Sequence, residues 1–111
     1  MHGSPWNPLD DYLYADHPRL AELDAIAEFQ VIAFGQTHRF LERRASGRLR
    51  VNPGSIGQSR DPETRGCACA AIVDTHTMDL TRVIRPYDVS EVCDRAVARG
   101  AGDWIRKHLL Q

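Results

Sequence analysis

The residues with the greatest chemical potential lie in the tetrad Gly35-Gln36-Thr37-His38, which follows the apolar run Val31-Ile32-Ala33-Phe34. A strand that stops at a glycine and then presents an imidazole is a way for α/β proteins to build a site at the end of a sheet. Imidazole suits that place because it can carry a proton near neutral pH or donate a lone pair to a metal ion. Two other segments are built from glycine and turn formers: Met1-His2-Gly3-Ser4-Pro5, and Val51-Asn52-Pro53-Gly54-Ser55-Ile56-Gly57. Neither Ser4 nor Ser55 has an assignable histidine–carboxylate pair, so neither is expected to act as a nucleophile. The cysteines, Cys67, Cys69 and Cys93, lack the paired spacing of a zinc or redox motif. On a strand Cys67 and Cys69 share one face, and all three are expected to be packed, reduced thiols of a cytoplasmic protein.

A histidine held this way needs a sheet beneath it and turns around it. Ser4 to Pro18 reads as an ordered loop with one helical turn at Leu9–Leu13. Pro18 suits the first turn of a helix reaching about Phe29, with Leu20, Leu23, Ile26 and Ala27 as its apolar stripe. The run Val31–Phe34 has no polar member and predicts a buried strand. Phe40–Arg44 and Arg48–Val51 predict a hairpin around Ala45-Ser46-Gly47, and Asn52-Pro53-Gly54-Ser55 a sharp turn. Ser59–Arg65 reads as a surface loop. Cys67–Asp74 and Met78–Arg85 predict a second hairpin across Thr75-His76-Thr77. Ser90 reads as the N-cap of a helix ending near Arg99, before Gly100 and Gly102, and a last helix is expected over Asp103–Leu110. His17, His76 and His108 fall in a loop, a turn and a terminal helix, and are expected at the surface.

Composition bounds the partners. The chain has 111 residues, 42% of them hydrophobic and 26% charged, which suits one globular domain rather than a disordered segment. With 14 basic and 15 acidic residues, a formal net charge of -1 argues for neither nucleic acid nor an anionic membrane surface. No stretch approaches the roughly 18 apolar residues of a membrane span. Arginines do gather at Arg39, Arg43, Arg44, Arg48 and Arg50, but Glu42 interrupts them, and they read as a solvated hairpin face rather than an anion-binding patch.

The segments His-Gly-Ser-Pro, Gly-Gln-Thr-His and Asn-Pro-Gly-Ser-Ile-Gly, in this order, resemble the closing half of the calcineurin-like metallophosphoesterases, in particular their small bacterial phosphodiesterase branch. The resemblance implies an α/β fold: the C-terminal half of a four-layer α/β/β/α sandwich, with a mixed sheet, two hairpins and flanking helices. Residues 1–111 would form a single, partial domain of that kind. It also implies hydrolysis of a phosphomonoester or phosphodiester with divalent ions such as Mn, Fe or Zn. Such ions neutralise phosphate charge, acidify a bound water and fix in-line geometry. By this resemblance His2 matches the ligand of a His-Gly element. His38 matches the second histidine of a closing Gly-His-x-His, and Gln36 stands where its first histidine belongs. Asn52, Gly54 and Ser55 match the structural turn behind the site.

The family's Asp-x-His, Gly-Asp and Gly-Asn-His motifs lie upstream of the His-Gly element, beyond what this sequence contains. Two imidazoles and a neutral amide without a bridging carboxylate make a weak donor set. The chain is therefore expected to be catalytically incomplete alone and to need a separate or upstream N-terminal half. Without that half, Val31–Phe34 would be an apolar sheet edge, prone to pair with the missing half or with a second copy of the chain. The competing expectation is a non-catalytic scaffold that keeps the fold and binds protein partners, with the loss of histidine at Gln36 as its mark.

Overall fold

A computed structural model describes residues 1–109. Its elements run α1 (Leu20–Ala25), β1 (Val31–Ala33), β2 (Phe40–Ala45), β3 (Arg48–Pro53), a 3-10 turn (Pro62–Thr64), β4 (Cys67–Val73), β5 (Leu80–Pro86), α2 (Val89–Ala98) and α3 (Trp104–Leu109). The mixed α/β class and both hairpins are as expected, but the hairpins lie in separate sheets. The first sheet has the order β1-β3-β2, and β4 and β5 form a second one.

In the first sheet β3 is central, parallel to β1 and antiparallel to β2. Being central, it is buried on both faces at Leu49, Arg50, Val51 and Asn52. The β2–β3 turn places Ser46 and Gly47 at φ +51° and +73°, the pair of positive values that matches a two-residue hairpin loop to strand twist. Register puts Ile32 beside Arg50 and Leu41 beside Asn52, all on one face. Leu20 and Leu23 of α1 join Leu13, Ile32 and Phe34 there in the core cluster, with Ile26 and Leu41 packed against it. Phe40 and Arg44 lie on the opposite face. They meet the second hairpin, Phe40 beneath the Arg82 guanidinium at 4.2 Å and Arg44 donating to the Met78 carbonyl.

The helix expected to reach Phe29 ends four residues earlier, and the reason is Arg50. Its side chain is fully buried and donates to the carbonyls of Leu23 (3.0 Å), Ile26 (2.6 Å) and Phe29 (3.1 Å). These are oxygens that a continuing helix would have turned along its axis. Arg48 adds bonds to the Asp24 and Ile26 carbonyls, and Arg43 pairs with the Asp24 carboxylate. The arginine run is thus a solvated face only at Arg39 and Arg44, which are exposed; Arg43, Arg48 and Arg50 clamp the end of α1 to the sheet. Burial, and next the charge of Arg48, pull the Arg50 pKa down while Asp24 opposes them. An arginine starts so far above neutrality that it stays protonated.

Other boundaries moved for local reasons. The strand expected to be buried is an edge, with Ile32 and Phe34 inside but Ala33 exposed, because β3 is its only strand neighbour. No helix forms over Leu9–Leu13; Asn7 takes the Asp10 amide there, as Ser4 takes those of Trp6 and Asn7 just before it, and turns form instead. Ser59–Arg65 holds the 3-10 turn, capped by Asp61, and its Ser59 and Thr64 hydroxyls are buried against each other at 2.8 Å. The N-cap of α2 is Asp88, not Ser90: its carboxylate accepts from the Glu91 amide at 3.0 Å. Gly100 at φ +92° follows that helix. The expected last helix is present through Leu109; Leu110 lies outside the described residues. His76 and His108 are exposed and His17 is half-buried. Cys69 and Cys93 are buried, Cys67 is half-buried, and all three are free thiols. Among the described residues no helix is long and apolar enough to cross a membrane.

Candidate functional site

Beyond β1 the chain makes a turn of rare geometry. The Thr37 amide donates to the Gly35 carbonyl at 2.8 Å, and the intervening Gln36 has φ +68°. This is a three-residue turn of the less common, strained hand. His38 follows at φ +57°. Positive φ at two non-glycine residues costs on the order of 1–3 kcal/mol each and persists only where surrounding contacts enforce it.

Asn52 enforces it. Wholly buried on β3, it donates through Nδ2 to the Gly35 carbonyl (2.8 Å) and to Thr37 Oγ1 (3.0 Å). Its Oδ1 accepts from the Gly54 amide at 3.0 Å. One amide side chain thereby ties the histidine loop to the Asn-Pro-Gly-Ser turn. Gly54 completes the arrangement at φ +88°, where an added Cβ would stand 3.0 Å from the Cys69 Cβ. Removing the amide as Asn52→Ala leaves the Gly35 carbonyl only the Thr37 amide, takes the acceptor from the Gly54 amide and frees the turn. The expected cost is about 2–3 kcal/mol, to be read as a shift of the urea-unfolding midpoint.

His38 is held by its ring as well as its backbone. Nδ1 lies 2.9 Å from the Gln58 carbonyl, and a carbonyl only accepts, so Nδ1 bears the hydrogen. In the neutral ring Nε2 is then left with its lone pair free, which is the orientation seen in metal-ligating histidines fixed by an outer partner. The Arg60 amide donates to the His38 carbonyl at 3.0 Å, so the segment after the turn grips both ends of the residue. Gln36 donates through Nε2 to the Leu9 carbonyl at 3.2 Å, which leaves Oε1 as its available donor atom.

His2 approaches the same loop from the start of the chain. Its carbonyl accepts from the Gly35 amide at 2.7 Å, and its Nδ1 would lie 3.7 Å from a Cβ on Gly35. The segment is tightly folded rather than frayed. A Cβ on Gly3 would fall 2.5 Å from the Asn7 carbonyl oxygen, and buried Ser4 donates to the Asp11 carboxylate at 2.6 Å. Ser4 thus shapes a turn, as does Ser55, whose hydroxyl accepts from the Gln58 amide.

His2, Gln36 and His38 adjoin Gly35 through the backbone, while the Gln36 side chain turns to the Leu9 carbonyl and the His38 ring to the Gln58 carbonyl. As a donor set they fit one wall of a metal site: two imidazoles and an amide oxygen. No group of three or more His, Cys, Asp and Glu side chains suited to a metal ion occurs among the described residues, so no carboxylate completes the wall. Gln58 was not legible as a partner of His38, since a backbone carbonyl twenty residues away leaves no signal in sequence. Two clefts flank the loop and share Arg39. One, of about 420 Å³, lies between Tyr14, Asp16, Thr37 and Leu41. The other, of about 310 Å³, runs past Gln58 toward α3.

Residues 1–78 match the family model of the calcineurin-like phosphoesterase superfamily domain. Among solved structures the chain is similar to a metallophosphoesterase from Sphaerobacter thermophilus, with a TM-score of 0.84 and 24% identity over 99% of this chain and 52% of that one. A hypothetical protein from Pyrococcus horikoshii aligns with a TM-score of 0.79 and 24% identity over 98% of this chain and 44% of its own. The chain thus spans about half the length of the structures it resembles, and at that identity the likeness speaks for the fold. Comparison with curated proteins gives no match.

Proposed function

The chain belongs to the calcineurin-like phosphoesterase superfamily, and from that premise we propose that it supplies one wall of a metal-dependent phosphoester-hydrolysing site. The rest of the family fold, joined in sequence or added as a separate chain, would supply the carboxylates. The observation that carries this reading is the His38 ring, whose Nδ1 is committed to Gln58 so that Nε2 is left to ligate. His38, His2 and the Gln36 amide oxygen would hold a divalent ion (Mn, Fe or Zn) from this side. When bound, such an ion supplies charge neutralisation and an acidified water. The chain's own part is to aim two imidazoles and to keep their loop from relaxing, which Asn52 does. The small bacterial phosphodiesterase branch, a four-layer sandwich and a cytoplasmic setting go with this reading. So does pairing of the companion half, or of a second copy, along the edge strand β1. The β1 edge is partly lined already: the Met1 nitrogen donates to the Ala33 carbonyl at 2.9 Å.

The test is hydrolysis of a bis-aryl phosphodiester with Mn. The purified chain alone is expected to be inactive, and activity is expected when the N-terminal half of a related phosphoesterase is co-expressed with it. Turnover by the chain alone would overthrow the view that it is incomplete. A second reading, a non-catalytic protein-binding scaffold, is favoured by Gln36 itself, which replaces a histidine and spends its amide on Leu9. That reading gains if Gln36→His confers activity that the Gln36 form lacks when completed in the same way.

A further inference from the structure

The cleft between the His38 loop and α3 concentrates positive charge. It is lined by Arg39, Gln58, Arg60, Arg65, Lys107 and His108, with no carboxylate among its lining residues. Elsewhere most cations are answered, the exceptions being Arg85, which bonds only the adjacent Ile84 carbonyl, and Arg99 at the end of α2. Arg19, Arg43, Arg44, Arg82, Arg95 and Arg106 each pair with a carboxylate, while Arg48 and Arg50 bind carbonyls. Among the described residues Arg39, Arg60, Arg65 and Lys107 have no ion-pair partner, although the chain as a whole is slightly acidic. Four like charges around one concavity repel one another, and a bound anion relieves that repulsion.

The cleft's frame is fixed even though its cationic side chains are exposed. The Arg60 amide is bonded to the His38 carbonyl, Ser59 to Thr64, and Asp61 both caps the 3-10 turn and pairs with Arg82 at 3.0 Å. Gln58 links the cleft to the candidate site directly, because its carbonyl orients the His38 ring. The volume, about 310 Å³, suits a compact anion and not an extended polymer track.

We propose that this cleft binds a phosphate or diphosphate group of a small substrate, on the Gln58 side of His38. The assignment to substrate rests on the hydrolytic reading above; the anion site itself does not. Guanidinium groups recognise phosphate oxygens in pairs, so Arg60 and Arg65 are expected to make the main contacts, with Lys107 as a point charge.

Titration calorimetry of the whole chain with inorganic pyrophosphate, without metal, tests the site. Binding is expected, weakening as salt rises. Arg60→Ala and Arg65→Ala should each weaken it about tenfold, the size of one charge-assisted hydrogen bond. Arg65→Lys should restore part of the loss, and Arg95→Ala, on α2 outside the cleft, should change nothing. These side chains are exposed, and circular dichroism of each variant confirms that the fold is retained. Absence of binding, or binding that ignores Arg60 and Arg65, overturns the proposal. Tighter binding of a single-stranded oligonucleotide than of pyrophosphate overturns it as well, in favour of nucleic acid. Since the readout needs neither metal nor a companion half, its failure would leave the hydrolytic reading standing. Failure of reconstituted hydrolysis would leave the anion site standing.

Discussion

Arg50→Met should destabilise the chain by on the order of 4 kcal/mol, a large share of the roughly 5–15 kcal/mol that keeps a domain folded. The Arg50 guanidinium serves the Leu23, Ile26, Phe29 and Leu49 carbonyls, and no other side chain reaches all four. Methionine fills similar volume but takes a donor from four carbonyls at once, leaving Leu23 to the Ile26 amide and Ile26 to Arg48, and buried oxygens short of donors cost more than the net worth of the bonds themselves. Arg50→Lys should recover less than half of the loss, because one ammonium cannot fork toward carbonyls on both sides of a helix end. Urea unfolding followed by circular dichroism decides the matter. If the Met variant unfolds at the parental midpoint, the clamp contributes nothing and the early end of α1 needs another cause.

The second large effect concerns His38. In chain completed by a companion half, His38→Ala should lower Mn-dependent phosphodiester hydrolysis at least a hundredfold, since even outer partners of metal ligands cost tenfold to a hundredfold. The unfolding midpoint should hardly move, because the ring is only half-buried and its one side-chain bond is to Gln58. Gln36→His should act in the opposite sense and raise Mn affinity about tenfold, imidazole being a better donor than a neutral amide. Isothermal titration with Mn and initial rates measured on the same preparations separate ligation from folding. An His38→Ala protein as active as the parent would remove His38 from the metal site.

Local pattern revealed much of this fold. The Ser46-Gly47 turn, the second hairpin and the helix before Gly100 each announce themselves in a few consecutive residues, and each is found near its expected place. Sequence-local reasoning failed where a distant side chain took over. Nothing between Pro18 and Phe29 indicates that Arg50 will halt the helix. Nothing in the alternation Arg48-Leu49-Arg50-Val51 distinguishes a guanidinium facing solvent from one facing carbonyls. The site divides in the same way. The strand end at Gly35 singles out His38, and His2 and Gln36 enter only through the family resemblance of their motifs, whereas the Gln58 contact and the cation cleft depend on a segment twenty residues away. Ser90 reads as a cap from its residue type, yet Asp88 has the acidic partner Glu91 three residues on and the bond to its amide.

The strained turn at Gln36 has a bearing on metal exchange. Its shape is set by Asn52 and Gln58, protein groups that remain whether or not an ion is present. Loading this wall would therefore order no loose segment, and no entropic toll would be deducted from affinity. A socket cast in advance takes up and gives back its guest without refolding, so its half of the centre should look alike before and after chelation.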